Sequence, residues 1–294
     1  MPTLLGGTQE NLEIELAGRP LRLVLERRGP KDAPLWLLLP ALSTISSRSE
    51  WRDFADAMGD QSQLVSFDWP GFGDSDRPAI SYNAALLRSA LSAVLDHLQL
   101  TNQNKINLVA VGHSASLALG LADDRSRQWH QLVLVAPTWR GPLPTMTGWH
   151  PNKFGWLRQL VAMPVVGSAL YRLNTSRTVL KLMMRRHVWV DANLLTPERI
   201  LEQQQLTRRP GARFASVAFV SGGLDPAAER GWWLDQAKKL KCPLHVVLAE
   251  ECPPRSKQEM EQLAKIADRV STINGRLGLH QEFGAILAEK MLAA

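Results

Sequence analysis

Gly112-His113-Ser114-Ala115-Ser116 joins two stretches of different character. Before it runs Ile106-Asn107-Leu108-Val109-Ala110-Val111, apolar and β-branched, and after it comes the small-residue run Leu117-Ala118-Leu119-Gly120-Leu121-Ala122. Strand, sharp turn and helix, with serine at the apex, is the setting in which a G-x-S-x-G serine acts as a nucleophile. Such a turn is strained and needs small residues two before and two after the serine. Gly112 and Ser116 meet that need, although the usual final Gly is here a Ser. The chemistry expected of Ser114 is attack on an acyl carbon. A hydroxyl does this only when a neighbouring base takes its proton, so the chain must bring a histidine to Ser114.

The elements around this turn alternate. Asn11–Ala17 and Pro20–Glu26 each alternate polar and apolar residues, with a turn at Ala17-Gly18-Arg19, and predict a hairpin. Short apolar runs at Leu35–Leu39, Leu64–Phe67, Ile106–Val111, Leu132–Ala136 and Leu244–Leu248 suit strands buried on both faces. Helical periodicity separates them after Ser49, over 84–99 and again near 256–267. A strand near Arg269–Ile273 and a helix from Gln281 follow. This alternation predicts a mostly parallel sheet with helices on both faces. It breaks between 138 and 241, where the chain is helical in tendency and rich in Trp, Met and Arg. We read 1–137 and 242–294 as a core and 138–241 as an inserted helical cap. A cap entering there lies over the carboxyl ends of the strands, where open α/β sheets bind ligands.

Composition excludes several classes. The 294 residues are enough for one enzyme-sized domain. Two cysteines, Cys242 and Cys252, suit a reducing compartment and give no zinc spacing, so neither a disulfide framework nor a metal is expected. Gly71 and Gly73 are turn glycines, and no phosphate-binding glycine pattern occurs, so no cofactor is expected. The N-terminal residues lack the basic and apolar regions of a signal peptide. A cytoplasmic location is the expectation. The net charge of +6 is uneven: residues 138–241 hold 16 Lys and Arg against 6 Asp and Glu, a net of +10, and the remainder carries −4. A local anionic partner fits this better than general nucleic-acid binding.

Three further segments resemble the α/β-hydrolase family. Phe67-Asp68-Trp69-Pro70-Gly71-Phe72-Gly73-Asp74-Ser75 resembles the family's D-x-x-G-x-G-x-S turn. Leu132–Pro137 resembles the strand before the cap, and Asn274–Phe283 the late loop that carries the catalytic histidine. Asp68–Ser75 and Leu277–His280 also resemble a little-characterised branch from cyanobacteria and plastids, which assigns no substrate. The resemblance implies an α/β-hydrolase fold with nucleophile, acid and histidine in that chain order. It places His280 as the base, chosen from seven histidines, and reads His113 as structural or pocket-lining. The family's acid follows the strand ending at Leu248, where this chain reads Ala249-Glu250-Glu251-Cys252, with Cys252 at the usual Asp position. Glu251 is the first choice for the acid, with Glu250 and Asp225 as alternatives. Asp68 is read as structural. The oxyanion hole is expected from the backbone N–H of Ala115 and of Leu42 or Ser43, since Pro40 has none.

These residues together predict a serine hydrolase acting on a small apolar ester or related acyl bond. The alternative is a non-catalytic chain of the same fold that binds a ligand or partner, suggested by Cys252 and by Pro40-Ala41. Trp139, Trp149, Trp156, Trp189, Trp232 and Trp233, with four methionines, give the insertion an adaptable apolar character. Residues 168–190 interleave apolar side chains with Arg172, Arg177, Lys181, Arg185 and Arg186, a pattern suited to a membrane interface.

Overall fold

The structure, a computed structural model, describes residues 3–100, 105–227 and 229–292. Its strands are β1 (Thr8–Leu16), β2 (Arg19–Arg28), β3 (Leu35–Leu39), β4 (Gln63–Phe67), β5 (Ile106–Val111), β6 (Trp129–Val135), β7 (Leu244–Ala249) and β8 (Arg269–Ile273). They form one sheet in the order β1-β2-β4-β3-β5-β6-β7-β8, in which only the β1–β2 and β2–β4 pairs are antiparallel. β1 and β2 pair from Thr8–Arg27 to Leu16–Arg19. That leaves a two-residue turn, Ala17-Gly18, both at positive φ (53° and 70°). Two left-handed residues match the twist of the flanking strands, so the hairpin closes more tightly than the three-residue turn read from sequence.

Side chains of a strand alternate between faces, and the apolar runs therefore feed two cores. Leu35, Leu37 and Leu39 of β3, Leu108 and Ala110 of β5, and Leu132 and Leu134 of β6 face one side. Trp36, Leu38, Val109, Val111, Val133 and Val135 face the other. Helix α1 (Arg52–Met58) buries Phe54, Ala55 and Met58 in the second core. Helix α2 (Ala84–His97) covers the first through Leu87, Leu91, Val94 and Leu95. Asn83 caps α2, its side chain accepting from the Leu86 N–H at 2.9 Å. Helices α3 (Ser114–Leu119) and α4 (Ala122–Arg125) follow β5.

Between β6 and β7 the chain holds only helices among the described residues: α5 (Pro142–Thr147), α6 (Gly155–Ala162), α7 (Pro164–Asn174), α8 (Arg177–Met183), α9 (Pro197–Arg208), α10 (Ala212–Val220) and α11 (Arg230–Lys238). Proline opens α5, α7 and α9, where its missing N–H has no intrahelical partner to lose. Helices α12 (Pro254–Ala264), α13 (Leu279–Glu282) and α14 (Gly284–Leu292) complete the chain. The inserted helices are tied to the core near α13. Glu282 accepts from the N–H of Val190 and Asp191 at 2.8 and 2.7 Å, and the Gly278 N–H donates to Val188 at 3.0 Å. No helix among the described residues is long and apolar enough to cross a membrane.

Candidate active site

Leaving β5, the chain turns at Gly112, whose φ is +54°. His113 and the residues after it are right-handed, and Ser114 is the first residue of α3. The left-handed pivot falls on Gly112, two residues before the serine and one of the two small residues the turn needs, where the absence of a Cβ removes the strain. Ser114 is fully buried, and its hydroxyl donates to the Pro40 carbonyl at the end of β3.

The Pro40–Ala41 peptide unit is held from both sides. Its carbonyl accepts from Ser114 Oγ and, at 3.0 Å, from Trp69 Nε1. Its N–H donates to Glu50 Oε2 at 2.8 Å, and the same oxygen accepts from His280 Nε2 at 3.2 Å. Ser114 and His280 therefore stand on opposite sides of one peptide unit, and no hydrogen bond joins them. His280 is buried in α13, with its ring 5.3 Å from that of Trp51. Because a carboxylate accepts, Nε2 carries the proton and Nδ1 is the basic nitrogen. Nδ1 is buried and has no hydrogen-bond partner among the described residues. It is the nitrogen free to take a proton.

The carboxylate beside His280 is Glu50, which sequence reading passed over. Glu251, the first choice, is exposed, and its Oε2 lies 3.6 Å from Arg276 Nη2. The turn after β7 sends the Glu251 N–H to the Gly275 carbonyl at 3.0 Å and the side chain outward. Glu250 is also exposed. Cys252 points into the core, its Sγ 4.0 Å from Met260 Sδ, and burial pushes its thiol up to about 11. None of the three meets His280. Glu50 sits in a 3-10 turn, Arg48–Trp51, that reads in sequence as a polar helix start. The only sequence signal was Trp51 beside it, a large apolar residue that must be buried.

Arg48 fixes this turn. Its guanidinium, fully buried, is 3.0 Å from Glu26 and 2.9 Å from Asp74 and is also paired with Asp68. Burial alone would lower its pKa, but Asp68 and the hydrogen bonds to Asp74 and Glu26 raise it, so the cation is retained. Asp68 holds the loop after β4 by accepting from the N–H of Arg48 and Asp74 at 2.6 and 2.7 Å. Arg209, from between α9 and α10, pairs with Asp74 and ties the insertion to this cluster.

Of the expected oxyanion donors, Leu42 is buried and its N–H makes no hydrogen bond among the described residues. The Ala115 N–H instead turns back to the Gly112 carbonyl at 3.2 Å. A cavity of about 40 Å³, lined in part by Glu50, Gln203 and Gln281, adjoins the Glu50 side and suits water rather than an acyl chain.

Asp225 belongs to a different pair. Its Oδ1 accepts from the Gly141 N–H at 2.8 Å and lies 3.7 Å from His113 Nε2, which donates to the Leu224 carbonyl at 3.2 Å. Burial pushes Asp225 up to about 7, against weaker lowering by the Gly141 bond, Arg140 and Arg158. Burial pushes His113 down to about 4, so it is neutral near pH 7. The pair joins the elbow to both ends of the inserted segment. A folded-state pKa above the unfolded value means that the folded state holds the proton more tightly, so stability is lost as pH rises towards 7. Asp225→Asn should therefore stabilise the protein increasingly from about pH 4 to pH 7 and evenly above, by up to about 4 kcal/mol. Melting curves of the two proteins at pH 4 and pH 8 check this; an equal difference at both would contradict it.

Comparisons with known proteins bear on this geometry. A family model described as Alpha/beta hydrolase family matches residues 36–276. Comparison with curated proteins gave no match. Among solved structures, a probable hydrolytic enzyme from Pseudomonas aeruginosa PAO1 is similar at 17% identity and TM-score 0.73, covering 98% of this chain and 94% of that one. A thermophilic esterase from Thermogutta terrifontis is similar at 18% identity and TM-score 0.71, covering 97% of each chain. The enol-lactonase from Burkholderia xenovorans LB400 is similar at 15% identity and TM-score 0.69, covering 96% and 98%. At these identities the structural likeness carries the fold, and the family match spans most of the chain. With the strand order and the elbow after β5, it follows that the chain belongs to the alpha/beta hydrolase family.

Proposed function

We propose that the protein hydrolyses an apolar carboxylic ester or related acyl bond, with Ser114 as nucleophile, His280 as base and Glu50 as the carboxylate that orients it. The observation that carries this reading is the state of His280. It is buried, one ring nitrogen rests on a buried carboxylate, and the other has no partner among the described residues. In the arrangement described, Ser114 is at rest on the Pro40 carbonyl. For acylation the hydroxyl leaves that carbonyl and gives its proton to His280 Nδ1, and Oγ bonds to the acyl carbon. The oxyanion takes the Leu42 N–H, with Ala115 as second donor once its turn bond to Gly112 is released. Collapse breaks the acyl–oxygen bond, His280 returns the proton to the leaving alcohol, and water then cleaves the acyl-enzyme by the same route. Glu50 stabilises the imidazolium formed in each half. The inserted helices act as a cap, a role supported by the contacts of 188–191 with Gly278 and Glu282. An esterase and an enol-lactonase among the similar structures accord with acyl chemistry. A cytoplasmic location remains part of this reading.

The second reading, a binding protein of the same fold, is favoured by one observation: the Ser114 hydroxyl is engaged by Pro40 and separated from His280. A fluorophosphonate probe separates the two. The hydrolase should be labelled at Ser114, and Ser114→Ala and His280→Ala should each abolish labelling. A folded wild type that remains unlabelled, or is labelled at another serine, supports the binding reading.

A further inference from the structure

Fifteen large apolar side chains are exposed among the described residues, and ten of them lie between Met146 and Leu194, about a sixth of the chain. The most exposed are Val165 at 80%, Leu173 at 68% and Met146 at 66%. Between Met146 and Leu194 the chain contains seven Lys or Arg and a single acid, Asp191, which follows the last of them. Arg172, Arg177, Lys181, Arg185 and Arg186 are exposed, and none is ion-paired among the described residues.

Helical spacing explains how cations and apolar groups share one outer surface. On α7, Val165, Ala169, Arg172 and Leu173 fall at positions i, i+4, i+7 and i+8 and are all exposed. The opposite side is packed so closely on α6 that a Cβ on Gly167 would lie 2.1 Å from the Val161 carbonyl. On α8, Arg177 and Lys181 are four apart and outward, with Leu182 beside them, and Leu180 is buried. Gly167 of α7 and Leu180 of α8 are the buried positions of these helices. Their outward sides leave aliphatic groups in water beside unpaired cations.

We infer that α7, α8 and the basic turn after α8 form a docking surface for an anionic lipid bilayer. The charge selects a partner of negative surface, and the exposed Val, Leu and Met side chains select one with an apolar layer beneath it. A nucleic acid meets the first condition, but its phosphates give nothing to aliphatic side chains. A second copy would bring like charges face to face. Lipid meets both conditions. The inference does not depend on Ser114, because vesicle binding is read without turnover.

Co-sedimentation of the full chain with phosphatidylcholine vesicles, with and without phosphatidylglycerol, tests it. Binding is expected on the anionic vesicles only and should weaken as salt is raised. Replacing Arg172, Arg177, Lys181, Arg185 and Arg186 with Gln should lower partitioning at least about a hundredfold. The triple change Val165→Ser, Leu173→Ser and Leu182→Ser should lower it about tenfold or more at unchanged charge. All positions are exposed, and unchanged melting temperatures will show that the variants fold. Three results would each overturn the inference. One is equal binding to neutral and anionic vesicles. Another is equal binding of the wild type and the five-Gln variant to anionic vesicles. The third is a wild type that ignores vesicles and self-associates through these residues, as sedimentation velocity with the Ser variant would show.

Discussion

Glu50→Gln should slow fluorophosphonate labelling of Ser114 by up to about 10⁴-fold, the loss that follows when the acid orienting a triad histidine is neutralised. Gln keeps an oxygen that can accept from the Ala41 N–H and from His280 Nε2, so the turn and the Pro40–Ala41 peptide stay in place. What is lost is the negative charge that steadies the imidazolium while the serine proton is on Nδ1. Glu251→Gln should leave labelling within about twofold, since its partner is Arg276 at the surface and exposed ion pairs of this kind are worth little. Rates measured on folded proteins decide between the two glutamates. If Glu251→Gln carries the loss and Glu50→Gln does not, the acid is the one first read from sequence and the loop after β7 must rearrange. Each variant removes one charge, and a binding protein with no activated serine would show labelling in neither variant nor wild type.

The second large effect is on stability. Arg48→Met should lower the melting temperature by about 10 °C, because removing one member of a buried ion cluster costs about 3–5 kcal/mol. Met replaces the aliphatic stem of Arg48 but not its guanidinium, so the loss is not one of packing alone. Glu26, Asp68 and Asp74 would be left in the interior without their shared cation. In the wild type, burial pushes Glu26 up, but the N–H groups of Leu4, Gly7 and Leu5, together with Arg48, bring it below its ordinary value. Asp74 is likewise lowered, against burial, by Arg209 and Arg48. Groups with lowered folded-state pKa values stabilise the protein above their unfolded pKa values and lose that contribution as pH falls. In Arg48→Met the same carboxyls favour protonation, so folding improves as pH falls. The deficit of the variant should therefore be larger at pH 8 than at pH 5. A deficit independent of pH would mean that Arg48 acts by shape and not by charge. The cluster also bears on the site, since the turn it anchors presents Glu50 two residues later. Arg48→Met protein that remains folded should lose labelling of Ser114 as well.

What sequence alone determined is whatever follows from local periodicity and local sterics. The apolar runs are strands because β-branched and aliphatic residues in short runs suit a sheet covered on both faces. The regular alternation stops after β6, and there the described residues up to β7 form helices and no strand. Ser114 and His280 stand out in the sequence for a similar reason: one follows a strand directly and precedes a helix, and the other follows the last strand among glycines. The tertiary structure decided which charged residues are buried, and that information is not local. Arg48 and Glu50 lie two apart in a polar stretch that reads as a solvated helix start. They are interior only because β2, the loop after β4 and α13 bring Glu26, Asp68, Asp74 and His280 around them. Glu251 looked better by chain position, but the turn after β7 aims its side chain at solvent. The partner of Ser114 was also decided in three dimensions. Its hydroxyl, at the start of α3, meets the Pro40 carbonyl at the end of β3, a contact between parts of the chain 74 residues apart that no local pattern shows.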